Sequence, residues 1–203
     1  MNVSEKAYQQ LKAKIIANEL VGAVSENELC QELNVSRTPL REAIFRLMTE
    51  GWIEHSKNKT KTIRPITFNE IRSIFQVRKD IELMVLNLSW ENQDVQRYRD
   101  IRQKIEQGLA ETRFDLLLEA DSELHERLLV DCQNEIVTRM LSFIYERLRM
   151  LRAGNGEGES ILASSREHLT ICDAVIARDL EQARGAVAEH VGNSYNRLFS
   201  AFK

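Results

Sequence analysis

The chain is predicted to be mainly α-helical, with an N-terminal winged helix-turn-helix followed by an all-helical bundle. Three observations predict this. Residues 36–53 read as a short amphipathic helix with a basic start and a glycine stop. Residues 37–64 form a basic stretch in a chain whose net charge is −3. From residue 67 to 203 apolar side chains recur at helical spacing, with no strand-like alternation.

Ala7, Tyr8, Leu11, Ile15 and Ile16 make an amphipathic first helix, and Ser25-Glu26-Asn27-Glu28 starts a second with Leu29, Cys30 and Leu33 facing inward. After the short linker Asn34-Val35, Ser36 offers an N-cap, and Pro39 falls in the first turn, where its missing N–H costs little. Leu40, Ala43, Ile44, Leu47 and Met48 then share one apolar face. Arg37 and Arg41, four apart, project together from the start of this helix. Gly51 supplies the residue most tolerant of a left-handed helix end, and Trp52-Ile53 opens an extended segment, the first strand of a wing.

A helix, a short turn and a second helix with basic residues in its first turn is the arrangement that reads base edges in the major groove. The alternative is an ordinary three-helix core with a solvated arginine pair. Charge separates the two, because residues 37–64 carry seven Lys and Arg against three Glu, whereas residues 65–203 carry 18 basic against 23 acidic residues. A local basic patch is what phosphate contact requires.

Ser36-Arg37-Thr38-Pro39-Leu40-Arg41-Glu42-Ala43, with Gly51 following, resembles the winged-helix signature of the GntR family of bacterial transcription regulators, over about the first 66 residues. The resemblance implies that Arg37 and Arg41 contact base edges or phosphates of a double-stranded DNA operator and that Ser36 and Thr38 hold the backbone. It also implies that the wing from Lys57 to Lys61, with Asn58 and Lys59 at its tip, enters the adjacent minor groove. The chain departs from the family at Val21-Gly22, where Pro-Gly is usual, at Asn27, where a basic residue is frequent, and at the wing tip, where glycine is usual. Asn58 is expected to take the left-handed turn there instead.

Pro65 separates this region from the rest, and Thr67-Phe68-Asn69-Glu70 forms a capping-box pattern that launches a long helix. Helices are expected near 69–91, 94–111, 114–132, 134–152, 160–178 and 180–201, with Gly154-Asn155-Gly156-Glu157-Gly158 as an exposed, mobile loop. The division is a DNA-binding domain at 1–66 and a helical metal-binding, effector-binding and dimerisation domain at 67–203, large enough to enclose its own core and a pocket.

Three of the four histidines fall in this bundle. Asp121 and His125 lie one turn apart on one helix face. His168 and His190 are each 11 residues from Asp179, which marks the tight connection between two consecutive helices. If those helices run antiparallel, both imidazoles sit about 16 Å from the turn at 1.5 Å rise per residue, level with one another. One carboxylate and three imidazoles facing a bundle interior suit a borderline divalent metal with positions open for another ligand. The alternative is a set of partly exposed histidines whose symmetry is chance. His55, beside the basic wing, reads as DNA-facing or solvated rather than as a ligand.

The pattern of Asp121 and His125, then Glu167-His168 with Ile171, Ala174-Val175 and Ala177, then His190 after Asp179-Leu-Glu-Gln-Ala183, resembles the FCD ligand-sensing domain of the FadR-like GntR branch. The short bundle points to its six-helix, VanR-type version. The resemblance implies that Asp121, His125, His168 and His190 hold a metal, with zinc favoured and nickel or manganese as alternatives, and that a small carboxylate metabolite completes the coordination. Val77-Arg78-Lys79-Asp80-Ile81-Glu82 resembles the family's first sensing helix, where Arg78 pairs with the effector carboxylate, a geometry suited to the guanidinium fork. The alternative for Arg78 is a salt bridge to Glu82 across one turn. Asn193, three residues after His190, is a further pocket candidate.

The expected function is a metabolite-responsive regulator, a repressor in the family's more common habit, binding a palindromic operator as a homodimer. Two competing readings are a constitutive architectural DNA-binding protein with a structural metal and a metal-dependent hydrolase. The second lacks an additional base that the sequence places beside the metal. No apolar run reaches the roughly 20 residues that span a membrane, and the N-terminus lacks a signal-peptide core, so a cytoplasmic protein is expected. Cys30, Cys132 and Cys172 are odd in number and set in helical patterns, which reads as buried free thiols.

Overall fold

A computed structural model describes residues 2–56, 58–154 and 158–200. The chain divides into two compact units, one comprising Met1–Thr67 with Glu146–Gly154 and the other Phe68–Tyr145 with Asn155–Lys203.

In the first unit, helices α1 (Val3–Ile16), α2 (Glu26–Glu32) and α3 (Arg37–Thr49) are followed by an antiparallel pair, β1 (Ile53–His55) and β2 (Lys61–Ile63), in register Ile53↔Ile63. Asn2 caps α1 by accepting the Glu5 N–H, and Ser25 caps α2 by accepting the Glu28 N–H. Residues 22–24 line the other edge of β2, with the Ile63 N–H donating to the Gly22 carbonyl and the Val24 N–H to that of Lys61. Ala7, Tyr8, Leu11 and Ile15 from α1 meet Leu40, Ala43, Ile44 and Leu47 from α3, and Trp52 and Ile53 close the core beneath the wing.

The end of α3 is fixed by backbone geometry. Gly51 is left-handed (φ +74°), which lets its N–H reach the Met48 carbonyl and the Trp52 N–H reach that of Leu47. Arg147 belongs to the same unit, fully buried, with its guanidinium 3.9 Å over the Trp52 ring and Nη2 donating to the Gly51 carbonyl at 2.8 Å.

The second unit contains α4 (Phe68–Ser89), a 3₁₀ turn (Trp90–Asn92), α5 (Val95–Glu111), α6 (Phe114–Cys132), the first half of α7 (Glu135–Gly154), α8 (Gly158–Ile176) and α9 (Leu180–Ser200). The α4 pattern thus ends earlier than expected, at Ser89. α8 packs on α9, α5 and α6, while α4 packs on α9 and α6. Three of the connections turn on non-glycine residues in the left-handed region: Thr112, Gln133 and Arg178. At the last of these, Asp179 accepts the Gln182 N–H at 2.9 Å and so starts α9 directly after α8.

Residues 155–157 of the glycine-rich loop lie outside the described residues. Gly154 ends α7, and Gly158 begins α8, where a Cβ would meet the Phe114 ring at 2.9 Å. Gly158 is therefore a packing residue, not part of an exposed loop. Cys30, Cys132 and Cys172 are free thiols; Cys132 and Cys172 are buried, and burial pushes the Cys172 thiol up to about 12. Among the described residues no helix is long and apolar enough to cross a membrane.

Gly51→Ala should destabilise the protein by about 1–2 kcal/mol, the cost of a left-handed L-residue. The measurement is the shift in urea midpoint at unchanged slope.

Candidate functional site

The first unit presents the start of α3 to solvent. Ser36 occupies the N-cap position, but its side chain makes no capping hydrogen bond. Ser36, Arg37, Thr38 and Arg41 are all exposed. Both arginines are steered by α2: Arg37 Nη2 donates to Asn27 Oδ1 at 3.1 Å, and Arg41 Nε donates to Glu26 Oε2 at 2.7 Å. Lys61 of β2 donates to the other Glu26 oxygen at 2.5 Å. The hydrogen bonds from Lys61 and then Arg41 hold the Glu26 carboxyl below its ordinary range.

At the wing, Asn58 and Lys59 are exposed, and Lys57 lies outside the described residues. The left-handed residue is Lys59 (φ +60°), not Asn58. The Lys59 N–H closes a turn onto the Ser56 carbonyl at 2.9 Å, and the Ser56 N–H then pairs with Thr60. The register of the hairpin, rather than the asparagine's own preference, selects which residue is left-handed. His55 is exposed, with Nδ1 3.2 Å from the Lys59 carbonyl. Phe45, one turn beyond Arg41, is 72% exposed, an outward apolar residue to which the helical pattern gave no role.

In the second unit five helices converge on a buried polar cluster. Asp121 and His125 come from α6, His168 from α8, His190 from α9, Arg78 and Glu82 from α4, and Tyr145 from α7. Nitrogens of His125, His168 and His190 all lie within 4.8 Å of one another, and the three residues are buried. Asp121 Oδ1 stands 3.7 Å from His125 Nε2 and 3.8 Å from His168 Nε2. The tight turn at Ala177–Asp179 is what brings His168 and His190 level, with ring centroids 4.6 Å apart.

Glu167, named in the sequence only as part of the pattern with His168, was given no role of its own there. Its carboxylate accepts from His190 Nδ1 at 2.9 Å, from Asn193 at 3.0 Å and from both terminal nitrogens of Arg197. Because Nδ1 donates to Glu167, His190 Nε2 presents its lone pair toward the cluster. Asn193 thus lies with Glu167. The register that aligns His168 with His190 around Asp179 also aligns Glu167 with the His190, Asn193 and Arg197 face of α9, and that was the available signal. On the outer side, His190 and Glu167 line a cleft of about 180 Å³.

Arg78 is fully buried. Its Nε donates to Glu82 at 2.6 Å, while Nη1 and Nη2 make longer contacts, 3.3 Å to Ser194 Oγ and 3.4 Å to His190 Nε2. Burial is the largest single influence and works against the charge, but the charge and hydrogen bond of Glu82, with further negative groups including Asp121, together hold the guanidinium above its ordinary pKa. Burial, with Glu82 adding to it, likewise pushes the Tyr145 hydroxyl well up, so the ring 4.5 Å from His125 stays neutral.

Two family profiles match the chain: bacterial regulatory proteins of the gntR family over residues 3–61 and the FCD domain over residues 73–193. The chain belongs to the GntR family, in the branch that carries an FCD domain. It is a DNA-binding transcription regulator and not an enzyme. The Nta operon transcriptional regulator of Aminobacter aminovorans is 28% identical over 184 residues, covering 89% of this chain and 86% of its own. The transcriptional repressor RspR of Escherichia coli K12 is 25% identical over 198 residues, covering 93% and 86%.

Among solved structures, a GntR transcriptional regulator from Rhodococcus sp. RHA1 aligns over 100% of both chains with a TM-score of 0.83 at 18% identity. The zinc-bound FCD domain of TM0439 aligns over 65% of this chain and 93% of its own, with a TM-score of 0.57 at 21% identity. Both likenesses place this GntR chain in the same fold.

Glu82→Gln should strip the buried guanidinium of its counter-charge and cost about 3–5 kcal/mol. Replacing both partners, Arg78→Met with Glu82→Leu, should recover most of that loss. Chemical denaturation of the wild type and these two variants measures it.

Proposed function

We propose that this regulator is a metabolite-responsive repressor that binds a palindromic operator as a homodimer and senses a small carboxylate at a metal held in the helical bundle. The observation that carries this reading is the convergence of three buried imidazoles and one carboxylate beside a buried arginine, in a chain whose other unit presents a recognition helix.

The donor set fits a divalent ion. Bonds of about 2.1 Å around a tetrahedral centre put ligand atoms about 3.4 Å apart. The Asp121 to His125 and Asp121 to His168 separations, 3.7 and 3.8 Å, are near that spacing and too long for hydrogen bonds. Asp121, His125, His168 and His190 would hold the ion. Nitrogen and carboxylate ligands suit zinc, and they also suit nickel or manganese. When bound, such an ion supplies a Lewis-acidic position for a carboxylate oxygen.

The chain's own residues do the rest. Glu82 grips Arg78 through Nε, so Nη1 and Nη2, held only by longer contacts to Ser194 and His190, form the exchangeable end of the fork, suited to take a carboxylate in a bidentate pair. Glu167 fixes the His190 ring in the orientation that points Nε2 inward. Asn193 and Arg197 anchor Glu167. The acid sensed is therefore small, planar at its carboxylate and able to reach both Arg78 and the histidines.

Homodimerisation is supported by apolar side chains left at the surface at helical spacing: Val77, Met84 and Leu88 on α4, and Ile136, Met140 and Phe143 on α7. Coupling to DNA would use α7, which supplies Tyr145 beside His125 in one unit and Arg147 on Trp52 in the other. The acid releases the operator, as repression relieved by a metabolite requires, and the protein acts in the cytoplasm.

Arg41→Ala should weaken operator binding roughly tenfold or more, the scale of one bidentate base contact, with metal content unchanged. His168→Ala should do the reverse, keeping operator binding in acid-free buffer while losing both the metal and the response to acid. Glu167→Gln should lower metal affinity roughly 10–100-fold. Fluorescence anisotropy on operator DNA and metal analysis of the same samples check all three. An acid response that survives His168→Ala overturns the sensing reading.

A further inference from the structure

Arg41 hydrogen-bonds through one nitrogen only, Nε, to Glu26 Oε2 at 2.7 Å. Glu26 is itself pinned from the other side by Lys61, and its side chain is 20% exposed against 62% for Arg41. Its carboxylate is therefore an anchored group at the start of α2, and its bond to Arg41 is made through Nε and not through Nη1 or Nη2. Resting on the reading of α3 as the recognition helix, we infer that Glu26 is a positioning residue that makes Arg41 a reader of guanine rather than a phosphate anchor.

Two physical arguments support this. A guanidinium held through Nε offers its two terminal nitrogens as a parallel pair of donors, which matches the N7 and O6 acceptors that guanine shows in the major groove. The second argument is electrostatic. A DNA phosphate approaching Arg41 also meets the Glu26 carboxylate bonded to Nε, and this like charge subtracts from the attraction. A neutral base edge, with only partial charges on N7 and O6, meets a much smaller penalty, so the carboxylate discriminates between the two targets of Arg41. Arg37 provides the contrast: its partner is the neutral Asn27, so its full charge stays available to a phosphate.

The test uses the full-length protein. The preferred operator is first found by selection from a random duplex library. Wild type, Glu26→Gln, Glu26→Asp and Arg41→Ala are then compared on that operator, on copies with each guanine replaced in turn by 7-deazaguanine, and on random-sequence duplex. Glu26→Gln and Arg41→Ala are expected to lose a roughly tenfold preference at the same guanine. Glu26→Gln alone is expected to bind random duplex more tightly and with a steeper salt dependence, because Arg41 and Lys61 become free to neutralise phosphates. Glu26→Asp, which keeps the charge, should retain more of the preference than Glu26→Gln.

Full preference in Glu26→Gln, or losses by Glu26→Gln and Arg41→Ala at different base pairs, overturns the positioning role while leaving α3 as the recognition helix. A wild-type protein that selects no sequence overturns the recognition-helix reading as well, and that outcome is visible before any variant is made.

Discussion

Burying the Arg78 guanidinium is the constraint around which the bundle is organised. An unpaired charge in that position would cost several kcal/mol, so the helix that carries it must also carry its answer, Glu82, one turn away. That pair satisfies Nε and leaves the terminal nitrogens weakly engaged at the edge of the histidine cluster. The same site therefore contains a charge that is stable in place and a donor pair that gains from a better acceptor. A core built for stability alone would fill this space with apolar side chains; polar groups contributed by five helices are what the proposed sensing site requires.

The recognition helix repeats this device at the surface. Glu26 takes Nε of Arg41 as Glu82 takes Nε of Arg78, and in each proposed role the Nη1 and Nη2 end of the fork is the part that would meet the ligand. The environments separate the outcomes. Near the bundle core the fork faces imidazoles and suits a carboxylate, whereas on α3 it faces solvent with a carboxylate on its Nε and suits a neutral base edge. Beneath α3, the left-handed Gly51 and the Arg147 guanidinium on Trp52 fix where the helix stops and the wing starts. The reading face is thus set by backbone geometry and by buried packing together.

Much of this was legible in the sequence because the relevant periodicities are local. The apolar spacing from Ala7 to Leu47 and from residue 67 onward marks the helices, and the winged-helix and FCD patterns identify the family. The equal 11-residue arms about Asp179 already place His168 level with His190. The breaks in that periodicity also placed the turns near 112, 133 and 178, but not the left-handed conformation that Thr112, Gln133 and Arg178 take there without glycine, and the hairpin register chose Lys59 over Asn58. Glu167 on His190, Tyr145 on His125 and Arg147 on Trp52 depend on how helices distant in sequence meet, which periodicity within one helix does not encode.

In the proposed function, one small acid, bound in the bundle, and one operator, bound by α3, are thermodynamically coupled. Calorimetric titration of the metal-loaded protein with the effector acid, with and without saturating operator, measures that coupling directly. If the acid weakens operator binding by some factor, the operator must weaken acid binding by the same factor at equilibrium. A matched loss is the result this account predicts. Equal acid affinity in the presence and absence of operator would contradict it.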